Sequence, residues 1–131
     1  MRNRMKVSTG TEWEDYVGYS RAIRIGSTIE VSGTIAVDEN GSVVGRDDAY
    51  AQAVYILNKI GAALEEADGS LEDIVRTRIY VTDIRNWELV GKAHGSFFRD
   101  IKPASTMVQV SALIGPEYLV EIEATAVLEQ T

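Results

Sequence analysis

The sequence predicts an α+β fold in which two helices cover one face of a single sheet. Three observations carry that reading. Stretches within residues 22–37, 74–81 and 106–127 alternate side chains with a period of two, as strands with two different faces do. Two others, 47–68 and 86–99, switch to the helical period. No linker, repeat or low-complexity tract divides them, so residues 1–131 read as one domain.

The elements follow in chain order. Ala22-Ile23-Arg24-Ile25 and Thr28 to Val31 read as short strands, with Gly26-Ser27 supplying a hairpin turn. Ser32-Gly33 interrupts the pattern before Thr34 to Val37 resumes it, which marks a bulge or a close backbone approach. Asp38 to Gly41 is a turn. From Asp47, the residues Ala53, Ile56, Leu57, Ile60, Leu64 and Ala67 form an apolar stripe, with Gln52, Asn58, Lys59, Glu65 and Glu66 on the other side. That predicts a helix of about five turns. Asp47 and Asp48 suit its start and Asp68-Gly69 its stop. In Ile74 to Val81, Val75, Thr77, Ile79 and Val81 oppose Ile74, Arg76, Arg78 and Tyr80. A second helix spans about 86–99, with Trp87, Val90, His94 and Phe97 on one face.

The last stretch, PASTMVQVSALIGPEYLVEIEATAV from Pro103 to Val127, reads as two strands joined by a turn at Gly115-Pro116. In the second strand, Glu121, Glu123 and Thr125 share one face and Val120, Ile122, Ala124 and Ala126 the other. An acidic strand face is as readily a solvated surface as a site. Together with Arg76 and Arg78 it belongs to the sheet face left open by the helices, which is either solvated or paired with another subunit.

Composition narrows the function classes. A chain of 131 residues can bury a real core, and 45% hydrophobic with 25% charged residues is ordinary globular composition. The absence of cysteine removes disulfides, thiolate catalysis and cysteine metal sites together. The opening MRNRMKVSTG lacks the apolar region of a secretory signal and no apolar run reaches membrane-spanning length, so a cytoplasmic location is expected. A net charge of −7 opposes binding to phosphate backbones, whose affinity comes from Lys and Arg displacing counterions, so nucleic acid is a disfavoured partner. His94, the one histidine, invites a proton-carrying role, but its stripe beside Trp87 and Phe97 reads as a packed or half-buried position. Phe97 and Phe98 hold the i+3 and i+4 places, so no metal site is expected there.

Four separated motifs carry a resemblance. VSGTIAV at 31–37, LEDIVRTRIYVTDI at 71–84, KPASTMVQVSAL at 102–113 and VEIEATAV at 120–127 together resemble the Rid family, also called YjgF-like or endoribonuclease L-PSP-like, over nearly the whole chain. The resemblance implies a chorismate-mutase-like fold, with one mixed sheet of about six strands and two helices on one face. It also implies a homotrimer with sheets turned inward and small-molecule clefts between subunits. The best-known members are deaminases that hydrolyse reactive enamines and imines to keto acids and ammonia without a cofactor.

The family's site residues carry over one by one. Its tyrosine matches Tyr19, its serine matches Ser32 in the dipeptide with Gly33, and its glutamate matches Glu121, where a carboxylate would position or activate water beside an imine carbon. Its helix asparagine matches Gly91. Its PAR arginine is replaced, because the motif here reads Pro103-Ala104-Ser105. A serine cannot reproduce the bidentate grip of an arginine on a carboxylate. Loss of such a partner costs about 2–5 kcal/mol, so hydrolysis of 2-imino acids is not expected to be efficient. Thr106 and Met107 leave a small, fairly neutral lining, better suited to an uncharged or cationic ligand. Arg21, Arg76 and Arg78 are further candidates for the cleft. Two classes stand open, an imine or enamine hydrolase and a non-catalytic binding or regulatory module, and a ribonuclease reading is weakened by the acidic charge.

Overall fold

The structure is a computed structural model and describes residues 4–129. Its centre is a six-stranded sheet of β1 (Arg4–Val7), β2 (Ala22–Ile25), β3 (Thr28–Thr34), β4 (Ile74–Val81), β5 (Ala104–Gln109) and β6 (Val120–Val127). The spatial order is β1-β2-β3-β6-β4-β5. The sheet is mixed, because β4 and β5 run parallel while every other neighbouring pair is antiparallel. Helices α1 (Glu12–Val17), α2 (Ala49–Glu66) and α3 (Trp87–Phe98) complete the α+β architecture. The long α2 packs against β3, β6 and α3.

The apolar stripe of α2 makes that packing. Ala53, Ile56, Leu57, Ile60 and Leu64 are fully buried against Ile29, Val31, Ile122, Ala124 and Ala126 in one core. Each Ile or Leu removed from water contributes about 1.5–3 kcal/mol. The Asp48 side chain caps α2 by accepting from the Ala51 N–H at 3.0 Å. The β2–β3 hairpin turns at Gly26, whose φ of 60° lies in the left-handed region that glycine adopts without penalty. At Ser32-Gly33, the β3–β6 register shifts between Val31 and Thr34, so the interruption in the sequence is a bulge.

Several expectations are corrected. β5 and β6 are not neighbours, because β4 lies between them and pairs with both. The stretch Thr34 to Val37 does not resume a strand: β3 stops at Thr34, and Val37 makes only an isolated bridge to Val43. A register shift between Ile74 and Arg76 breaks the alternation of β4, which buries Ile74 with Thr77, Ile79 and Val81 and exposes Val75. On α3 the buried side chains are Val90, Ala93 and Phe98, while Trp87 is exposed. Gln52 is not on a solvated face. It is fully buried, donating to the Gly45 and Glu117 carbonyls and accepting from the Leu119 N–H, and so ties α2 to the segment that leads into β6. Strand β1 and helix α1 form where no element was expected.

Candidate functional site

The β3 bulge brings four of the candidate residues together. Glu121 lies on the sheet face away from α2, and its carboxylate occupies the space that a side chain at position 33 would need, so Gly33 is required for this approach. Beneath it, Arg21 donates from Nη2 to the Gly33 carbonyl at 2.8 Å. Ser32 is held on both sides: its N–H donates to the Arg21 carbonyl at 3.0 Å, and its Oγ donates to the Ser20 carbonyl at 2.7 Å. The Arg21 guanidinium also lies 5.7 Å from the centroid of the Tyr19 ring. Tyr19 and Ser32 face a shallow depression of about 520 Å³ beside α1. Arg21 thus contacts Tyr19, Ser32 and Gly33, and its charge acts on the Glu121 carboxyl.

Charge at this spot is tuned by burial. Desolvation pushes the Glu121 carboxyl above its ordinary value, the Arg21 charge pulls it back, and Glu123 adds to the rise. Glu14, also buried, shows the opposite outcome. Burial pushes it up, but hydrogen bonds from Thr9 and Ser8 outweigh that and hold it below the usual value. Those bonds fix the Ser8–Thr11 loop against α1. Farther along the open face, Arg78 lies 3.9 Å from Glu123, which accepts from the Tyr80 hydroxyl at 2.8 Å. Glu123 therefore has partners of its own, whereas the Glu121 carboxylate has no hydrogen bond or salt bridge among the described residues.

The other three candidates sit elsewhere. Ser105, Thr106 and Met107 are on the edge strand β5, separated from β6 by β4. In the parallel register Ser105 stands beside Thr77, a fully buried core residue, so its side chain is on the helix side of the sheet. Thr77 Oγ1 donates to Ser105 Oγ at 2.8 Å. Met107 is likewise on the helix side, partly buried against the core. Thr106 is on the open face and accepts from Arg76 Nη2 at 2.7 Å. One chain therefore places Ser105 and Glu121 on opposite faces of the sheet. His94 is half-buried as expected, 4.5 Å from the Phe98 ring, and its Nε2 is 2.9 Å from Thr77 Oγ1. That link was missed, since no local pattern joins positions 77 and 94. No group of three or more His, Cys, Asp or Glu side chains able to hold a metal occurs among the described residues.

The family profile described as endoribonuclease L-PSP matches residues 10–128. The chain belongs to this YjgF/Rid-like family. A RutC family protein of Pyrococcus abyssi is 34% identical over 85% of this chain and 87% of its own length. Among solved structures, a member of the YjgF/YER057c/UK114 family from Mycobacterium tuberculosis is 48% identical, with a TM-score of 0.88 over 96% of this chain and 100% of that one. TdcF from E. coli, solved with bound serine, is 28% identical, with a TM-score of 0.77 over 85% of this chain and 88% of that one. In this L-PSP family chain, Gly33 at the bulge and Glu121 stand together, while Ser105 lies on the edge strand β5.

Proposed function

We propose that this chain is a homotrimeric Rid-like domain, spanning residues 1–131, that binds a small imine, enamine or related C–N compound in clefts between subunits and hydrolyses it. The observation that carries this reading is the half-buried Glu121 carboxylate, without a partner among the described residues and lodged against Gly33 at the bulge, next to Ser32 in the chain. A carboxylate with a raised pKa is suited to exchange protons with a water attacking a C=N carbon. Tyr19 and Ser32 would orient the ligand. The division of the candidates between opposite faces supports the intersubunit arrangement, because Ser105 and Met107 of one copy, on the helix side of the sheet, can join Glu121 only from a second copy. The serine bound to TdcF supports an amino-acid-sized ligand here. Ser105 in place of the arginine favours a neutral or cationic one, acted on in the cytoplasm without a cofactor.

A thermal-shift screen of small amines, imine precursors and amino acids tests this, because a ligand that binds only the folded state raises the melting temperature. Glu121→Gln is expected to keep the assembly and to lose the ligand shift or the turnover, while Glu123→Gln, already paired with Tyr80 and Arg78, keeps both. Equal behaviour of Glu121→Gln and the wild type would mean that Glu121 is a solvated carboxylate. The second reading, a binding module without chemistry, is favoured by Ser105 and Gly91 in place of the deaminases' polar pair. It predicts a ligand shift with no turnover. A ribonuclease role fits the family description but not a net charge of −7.

A further inference from the structure

We infer that His94, Thr77 and Ser105 form a proton relay that makes the Ser105 hydroxyl a general acid toward the nitrogen of a neutral C=N ligand; this rests on the cleft proposed above. Thr77 is the middle of the chain. It is fully buried on β4, with Oγ1 2.8 Å from Ser105 Oγ and 2.9 Å from His94 Nε2. A hydroxyl has one hydrogen, and here Thr77 gives it to Ser105. The contact with His94 is then completed by a hydrogen on Nε2. Ser105, exposed on the edge strand, keeps its own hydrogen for a ligand.

The far end of the chain reaches water. His94 Nδ1 makes no hydrogen bond among the described residues and is not one of the sealed, unpartnered side-chain atoms there. Burial also lowers the pKa of the ring, which keeps it neutral near pH 7. A neutral imidazole passes a proton by exchanging tautomers.

Water oxygen bonds to the imine carbon as Glu121 takes a water proton. The C=N π pair moves onto nitrogen, which takes the proton of Ser105. Ser105 is reprotonated by Thr77, Thr77 by His94 Nε2, and Nδ1 takes a proton from solvent. Glu121 returns its proton to solvent, and the carbinolamine then collapses to carbonyl and ammonia by moving a proton from oxygen to nitrogen. Of these three, Ser105 alone touches the ligand, and Thr77 and His94 are positioning residues.

The chain has one histidine, so nitrogen-15 NMR of the imidazole reads the relay without any ligand. The wild type should show the Nε2–H tautomer, and Thr77→Val, close to isosteric, should shift the tautomer equilibrium. A dominant Nδ1–H tautomer in the wild type would overturn the relay, because Thr77 would then donate to His94. The second arm uses the imine that a flavin amine oxidase releases from benzylamine, followed against its spontaneous hydrolysis. Thr77→Val should lower kcat on the order of 10²-fold with KM little changed, and should abolish a solvent isotope effect. Ser105→Ala should match it, and the double variant should lose nothing more. Unchanged kcat in both single variants overturns the inference. A wild type inert toward this imine counts against the cleft reading instead, and the NMR arm still decides the relay. Should Thr77→Val fail to fold, Ser105→Ala, at an exposed position, serves in both arms.

Discussion

Glu121 keeps a carboxylate half out of water with no partner among the described residues, and that arrangement has a thermodynamic sign. Its folded pKa is raised by burial, so between the ordinary carboxylate value and the raised one the folded state holds more protons than the unfolded state. Stability from this group is therefore lost as pH rises through that window. Glu121→Gln should melt higher than the wild type at pH 7, and the difference should shrink toward pH 4, measured by thermal unfolding across pH. A lower melting temperature at pH 7 would mean that the carboxylate has a stabilising partner. The second residue-scale prediction concerns Ser105. Ser105→Arg would place a guanidinium where the resemblance expects the carboxylate clamp, so hydrolysis of imines made from 2-amino acids should rise measurably over a weak wild type. It should stay below a full deaminase level, since Gly91 lacks the helix asparagine; a side chain at Gly91 would meet open space, so Gly91→Asn on that background should add to it. Strong wild-type activity that Ser105→Arg leaves unchanged would show that another arginine already holds the substrate carboxylate.

At the scale of elements, the β3 bulge does the positioning. It takes Ser32 and Gly33 out of the regular ladder and lets Arg21 bond the Gly33 carbonyl from below. Gly33→Ala should collide with the Glu121 carboxylate, which is the free end of a flexible side chain and can swing aside. Ligand-induced stabilisation should then fall while the melting temperature without ligand changes little; a large loss of basal stability would show instead that the backbone at the bulge had moved. Much at this scale was legible. The α2 stripe, the β2–β3 hairpin, the bulge and the two faces of β6 follow from local periodicity and turn chemistry, while the candidates at 19, 32, 33 and 121 come from the family resemblance. What local patterns do not encode is pairing between distant segments. The insertion of β4 between β5 and β6, the burial of Gln52 by partners near residues 45 and 117–119, and the contact of Thr77 with His94 each depend on chain far away in sequence. β1 was missed because RMKV offers a single buried anchor, Val7, on an edge strand.

At the scale of the whole molecule, the question is what covers the open face of the sheet. The registers put Ile25, Val108 and Val127 there, all exposed, interleaved with Glu121, Glu123, Arg78 and Tyr80. Apolar side chains left in water beside an ordered set of hydrogen bonds are what an interface between copies presents before assembly. The strand at one edge, β5, carries Ser105 on the side opposite Glu121, so a closed ring in which each β5 edge meets the next copy's bulge would complete every cleft with residues from two subunits. Light scattering coupled to size exclusion should therefore report about three times the 14.4 kDa chain mass. Val108→Glu or Val127→Glu, each placing a charge on the open face without entering the core, should shift that mass toward the monomer and remove ligand-induced stabilisation together. A wild type that elutes as a monomer at micromolar concentration would remove the shared cleft, since Ser105 and Glu121 could then never face one ligand. An oligomer that keeps its ligand response after its mass has been reduced to that of the single chain would place the binding site within one subunit, at the depression beside Tyr19 and Ser32.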